Sequence, residues 1–138
     1  LAGCGASVLL TYFRTQDPAD FPEPYRTNRS KNADDVLAAI RKDGGRVEAI
    51  EADLRDPAVV PELFDLAETE LGPVDIVVNN ASALGMTGLL DTSVKMLDRM
   101  FAINARGSYL VTQAAMPHLL EAANRFAGFD SFPVELPV

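Results

Sequence analysis

Cysteine occurs once, histidine once and tryptophan not at all in 138 residues, and only 12 lysines and arginines face 20 acids. A single cysteine, Cys4, cannot build an internal disulfide framework and fits a reducing compartment. No basic residue flanks it, so an inert thiol is expected. No His, Cys and acid residues fall at metal-ligand spacing, which leaves no metal site, and His118 reads as a surface or core side chain. A net charge of −8 argues against nucleic acid, whose phosphates it would repel. The one basic cluster, Arg26, Arg29 and Lys31, is flanked by Glu23 and Asp34 and reads as a solvated loop. No apolar run is long enough to cross a bilayer; the longest, such as Val8-Leu9-Leu10 and Ile76-Val77-Val78, are strand-sized. A cytoplasmic protein with neither a nucleic-acid nor a membrane partner is therefore expected. The chain begins at Leu1 rather than Met, which leaves room for a segment upstream.

What is present is a regular alternation. Hydrophobic residues make up 48% of the chain, enough for the core of one domain. Leu1-Ala2-Gly3 reads as the last turn of a helix stopped by glycine, and Ser7 to Phe13 as a buried strand. Thr15 to Ser30, with Pro18, Pro22 and Pro24, reads as a long loop. Asn32 caps a helix from Ala33 to about Lys42, with Val36, Leu37 and Ile40 as its stripe and Gly44-Gly45 as its stop. Arg46 to Ala52 is the next strand. Asp56 caps, and Pro57 opens, a helix to about Leu71 that buries Val60, Leu63, Phe64 and Ala67. Asp75 to Val78 is a further short strand, and a helical period runs from Thr92 to about Asn124, with Pro117 marking a bend. Met86, Met96, Met100 and Met116 read mostly as core filler. Such alternation means parallel strands joined by helical crossovers. Residues 1–125 form one unit and 126–138 an irregular tail.

Three segments in order, Ala52-Asp53-Leu54, Asp75 to Ser82 and Phe101 to Gly107, together resemble the short-chain dehydrogenase/reductase family and are similar to its 3-oxoacyl-(acyl carrier protein) reductase-like members. Ala52-Asp53-Leu54 closes the second strand where the family has an Asp and an apolar residue. Asp75-Ile76-Val77-Val78-Asn79-Asn80-Ala81-Ser82 matches the strand followed by Asn-Asn-Ala-Gly, with Ser82 in place of glycine. Phe101-Ala102-Ile103-Asn104-Ala105-Arg106-Gly107 matches the helix that carries the Asn of an Asn-Ser-Tyr-Lys tetrad.

The resemblance implies an α/β fold, a partial Rossmann-like doubly wound parallel sheet lacking its first strand and its C-terminal half. It implies a nicotinamide cofactor, NADP or NAD, and a small-molecule carbonyl or alcohol substrate interconverted by hydride transfer. Asp53 would meet the adenine amino group, the Leu54 backbone would help, and Asn80 and Ala81 would line the rim beyond the strand ends, where such sheets bind ligands. Asn104 would hold, by side chain or carbonyl, a water of a proton relay. Association of copies through helix 92–124 is also implied.

Cofactor choice turns on the end of the first strand, where an acid would bind a ribose hydroxyl and repel a 2′-phosphate. The segment reads Thr11-Tyr12-Phe13-Arg14-Thr15, with no acid before Asp17, and Arg14 can grip a phosphate, so NADP is preferred. Two family features are not in this sequence. Gly3-Cys4-Gly5 precedes the strand ending at Arg14 and reads as a helix stop rather than the phosphate-binding glycines. The three tyrosines are followed four residues on by Gln16, Arg29 and Gln113, never by lysine. Ser131 falls near the family's serine, but the segment around it does not read as the required strand. The chain taken alone is thus expected to be inactive; the competing reading is a non-catalytic nucleotide-binding or assembly module. Without the first strand, the strands ending at Arg14 and Val78 would pair directly, or a strand from the tail or a partner would fill the gap.

Overall fold

The computed structural model describes residues 1–14, 23, 26–27, 31–85 and 87–126. The loop expected over Thr15 to Ser30 lies almost wholly outside them, as do Met86 and the tail from residue 127 onward, Ser131 included.

A 3-10 turn at Ala2–Cys4 ends at Gly5, whose φ of 88° is a left-handed stop that glycine accepts without strain. Strand β1, Val8–Tyr12, follows. Helix α1 spans Asp34–Lys42 and starts one residue later than expected, with Asn32 Oδ1 accepting the Asp34 N–H at 3.3 Å. Two acids open α1 and Arg41 and Lys42 close it, matching the helix dipole. Its apolar stripe is shallow: Leu37 and Ile40 are half-buried and Val36 is exposed.

Strand β2, Val47–Glu51, runs parallel to β1 in the register Val8↔Val47 to Tyr12↔Glu51. The ladder is prolonged by Ala52 N–H to the Tyr12 carbonyl at 2.8 Å. Helix α2, Val59–Glu70, buries the four expected residues, Val60, Leu63, Phe64 and Ala67. Its regular part begins two residues after the expected proline. The N-cap position is Ala58, not Asp56, and has no side-chain cap; Asp56 instead closes the turn ahead of the helix, its Oδ1 accepting the Ala58 N–H at 2.9 Å.

The stretch from Thr92 is helical but in three pieces: α3, Val94–Phe101, a π-helical turn, Ala102–Gly107, and α4, Ser108–Phe126. Ser93 caps α3 by accepting the Met96 N–H at 3.2 Å. Pro117 lies inside α4 without ending it. Phe126, assigned to the tail from sequence, is the last residue of α4. The core centres on Val60, Phe64 and Ala115, joined by Val74, Val77, Leu110 and Val111, so α2 and α4 clamp the segment between them. Met116, expected as core filler, is 37% exposed instead.

One expected strand does not form. Among the described residues the sheet has two strands, β1 and β2, and residues 75–78 join no ladder. Nor does that segment pair with β1 to close the gap. The composition of Ile76-Val77-Val78 suits a strand, but a strand exists only where a neighbour supplies its hydrogen bonds. Val74 and Val77 find apolar cover on the core, whereas Ile76 and Val78 stay 65% and 63% exposed.

Candidate functional site

Parallel strands end together, so the residues just past β1 and β2 meet at their carboxyl ends. A cleft of about 200 Å³ opens there, walled by the end of β1 and the residue after it (Tyr12, Phe13), the turn after β2 (Asp53, Leu54, Arg55), the loop at Ala81 and Ser82, and the helical side (Arg99, Ile103). Three residues singled out from sequence, Asp53, Leu54 and Ala81, meet in this one cleft. Arg14 and Asn80 do not line it.

Asp53 is held by its own turn. Its Oδ1 accepts the Arg55 N–H at 3.0 Å and Nε at 2.8 Å, and its Oδ2 accepts Nη2 at 2.5 Å. The Arg55 hydrogen bonds hold the Asp53 carboxyl below the usual aspartate range, against a smaller opposing effect of partial burial. The guanidinium of Arg55 also lies 5.7 Å from the centre of the Phe13 ring, within cation–π reach. The strand-end aspartate therefore serves Arg55 and faces the cleft at the same time.

Arg14 is likewise paired. Glu51, the last residue of β2, accepts its backbone N–H at 3.2 Å, its Nε at 3.0 Å and its Nη2 at 2.5 Å. These bonds hold the Glu51 carboxyl below its ordinary range.

Asn104 sits mid-turn in the π-helix. Its Oδ1 accepts the Ala83 N–H at 2.7 Å and its Nδ2 donates to the Ala83 carbonyl at 2.9 Å. Ala83 is buried, so the side chain of Asn104 satisfies backbone groups that water does not reach easily. The same turn grips the other wall. Arg106 Nη2 donates to the Arg55 carbonyl at 3.0 Å, and the buried Gly107 lies against the Leu54 carbonyl. A π-turn widens the helix by one residue and disturbs its carbonyl ladder, a feature concentrated at functional sites. Of the neighbouring asparagines, Asn79 donates to the Thr112 hydroxyl at 2.9 Å, while Asn80 is exposed.

Sequence reasoning missed Glu51, Arg99, Ile103 and Arg106 at this rim, whereas a strand-end Asp53 serving Arg55 was a reading the sequence offered. Arg99 and Ile103 are four apart on one helix face, a spacing that pointed to a shared wall. Glu51 gave no local signal, because its partner Arg14 is fixed by strand register. His118, as expected, is structural: its ring stacks on Phe64 at 4.9 Å and its Nδ1 meets Glu68 at 2.7 Å. Among the described residues no His, Cys and acid group could hold a metal ion, and no helix is long and apolar enough to cross a membrane.

The family model for short chain dehydrogenases matches residues 25–126. The chain belongs to this family. Elsinochrome reductase 1 of Elsinoe fawcettii is 35% identical over 119 residues, covering 86% of this chain and 39% of that protein. Hydroxysteroid dehydrogenase-like protein 2 of Homo sapiens is 41% identical over 115 residues, covering 83% of this chain and 26% of that protein. The solved short chain dehydrogenase of Burkholderia cenocepacia in complex with NADP superposes with a TM-score of 0.68 at 31% identity, covering 86% of this chain and 42% of that one. This short chain dehydrogenase sequence thus spans less than half the length of these relatives. The family's doubly wound architecture accounts for the parallel β1–β2 pair and the cleft at its carboxyl end.

Proposed function

We propose that the cleft holds the adenine and ribose end of a nicotinamide dinucleotide, and that the chain is part of an oxidoreductase interconverting a carbonyl and an alcohol. The observation that carries this reading is the convergence of Asp53, Leu54 and Ala81 on one cleft beyond β1 and β2. The lining suits such a group. Tyr12 and Phe13 give aromatic surface to a flat ring, the Asp53 carboxylate accepts from an exocyclic amine, and the small Ala81 permits close approach. When bound, the nicotinamide supplies the hydride chemistry.

The chain's own residues bind and orient. With its side chain committed to Ala83, Asn104 positions the wall containing Ala81 and Ser82. The widened backbone around Asn104 is then the group suited to holding a relay water. Arg14, at the exit of β1, is the cation suited to a ribose 2′-phosphate, which makes NADP the preferred cofactor, with NAD second. The NADP complex of the Burkholderia relative supports that preference.

Titrating the chain with NADPH and NADH, followed by dinucleotide fluorescence, tests this reading. Saturable binding of both, tighter for NADPH, is expected, with Asp53→Ala weakening both about tenfold through the lost charged acceptor. No saturable binding to the wild-type chain overturns it. Oxidation of NADPH across ketones, sugars, steroids and 3-oxoacyl thioesters tests the reaction itself.

A second reading, an assembly module, is favoured by the apolar surface along helix 92–124. Leu97, Phe101, Tyr109 and Leu120 are 43%, 63%, 63% and 55% exposed. Sedimentation equilibrium decides it: a dimer disrupted by Phe101→Glu supports association through this helix, and a monomer at all concentrations refutes it.

A further inference from the structure

The end of β1 carries no acid of its own, yet the structure places one there from the neighbouring strand. Glu51 stands opposite Tyr12 in the parallel register, and its carboxylate reaches Arg14 rather than solvent alone. Arg14 offers Glu51 its Nε and Nη2, one planar edge of the guanidinium, at 3.0 and 2.5 Å. That edge is one of those through which an arginine grips a phosphate with two parallel bonds. The backbone N–H of Arg14 is taken by the same carboxylate.

We infer that Glu51, next in sequence to the cleft-lining Ala52 and paired with Arg14 beside the cleft-lining Phe13, is a specificity-determining residue: it weakens without reversing the preference that Arg14 gives for a ribose 2′-phosphate, and lets the site also accept a dinucleotide with a free 2′-hydroxyl. This rests on the reading of the cleft as a nicotinamide dinucleotide site. Three physical facts carry it. The Arg14–Glu51 pair has no net charge, so the attraction a lone arginine would exert on a phosphate dianion is weakened. A 2′-phosphate must displace Glu51 from the fork or bind beside it, against its negative charge. A free hydroxyl meets no such penalty and can donate to the carboxylate, as it does to an acid at a strand end. The side chains are 53% and 32% exposed, so the pair is open to an incoming ligand and neither member is needed to fill the core.

Calorimetric titration of the 138-residue chain with adenosine 2′,5′-bisphosphate and adenosine 5′-monophosphate reads this directly. In Glu51→Gln the affinity ratio should shift toward the bisphosphate by about three- to tenfold, the effect of removing one like charge a few ångströms away in a well-solvated site. The shift should shrink at high salt. Glu51→Asp, which keeps the charge, should stay near the wild-type ratio. Glu51→Ser provides a second neutral variant and should move the ratio in the same direction as Gln. A ratio unchanged or lowered in both neutral variants overturns the role of Glu51 and leaves the dinucleotide reading standing. Failure of the wild-type chain to bind either nucleotide overturns both.

Discussion

Asn104 holds both polar groups of a single residue, donating to the carbonyl of Ala83 at 2.9 Å and accepting its N–H at 2.7 Å. Two hydrogen bonds from one amide fix the loop after residue 80 against the π-helical turn. Asn104→Ala leaves the buried Ala83 N–H and carbonyl without these partners, which should cost about 1–3 kcal/mol of stability. Urea denaturation of the variant checks it. A change below the error of the measurement would mean that water replaces the amide without penalty.

Gly107 is the counterpart on the opposite wall. A Cβ built there meets the Leu54 carbonyl at 3.2 Å, the Ala102 carbonyl at 3.3 Å and the Leu54 Cβ at 3.4 Å. Backbone atoms of a pinned turn cannot swing aside as a side-chain tip can. Gly107→Ala should therefore destabilise the fold, although alanine is the better helix former by about 1 kcal/mol at an unconstrained site. A rise in melting temperature would show that the Leu54 turn yields.

What could be read from residues alone divides by the range of the interactions. The buried face of α2 was legible, because Val60, Leu63, Phe64 and Ala67 repeat at the helical period and each reports on its own neighbours. Asp53 and Ala81 were legible as rim residues because they follow strand-like runs. The strand over Asp75 to Val78 was misread, since apolar β-branched composition reports a preference and not the presence of a partner edge. The Glu51–Arg14 pair, 37 residues apart in sequence, exists through strand register, and no local pattern announces it. The π-turn escaped for a related reason: its cause lies in contacts of Asn104, Arg106 and Gly107 with two distant loops.

The Asp53–Arg55 pair gives the acid limb of stability a definite sign. Arg55 lowers the folded-state pKa of Asp53, so the pairing stabilises above the unfolded value, about 3.9 for aspartate, and is lost as pH falls through the folded value. With side chains 27% and 43% exposed, solvent screening limits the gain to about 0.5 kcal/mol. Asp53→Asn should thus be less stable than wild type near neutrality. The gap should close only as pH falls through the lowered folded-state value, where the wild-type carboxyl is itself protonated. Denaturant midpoints of the two proteins between those limits check it, and a gap independent of pH would assign the loss to packing rather than charge.

The unpaired segment at 75–78 makes the last prediction, and it concerns motion. Alternate amides of β1 and β2 are tied into a parallel ladder, whereas those of Ile76 to Val78 join none. What fixes the segment is side-chain anchorage: Val74 and Val77 on the α2–α4 core, and Asp75 accepting from Arg125 Nη2 at 2.7 Å. That ion pair is exposed at 44% and 38%, so its own contribution to global stability is small, under about 1 kcal/mol. Local opening of the segment should therefore need far less free energy than opening of the ladder. In native-state hydrogen exchange, Ile76 to Val78 should exchange well before Leu10 and Tyr12, whose N–H groups face β2 in this register. Arg125→Ala should speed the segment further while leaving the β1 amides unchanged. Equal protection of the two stretches would mean that residues 75–78 pair with a strand in solution, and the segment would then be the third strand that its composition suggests.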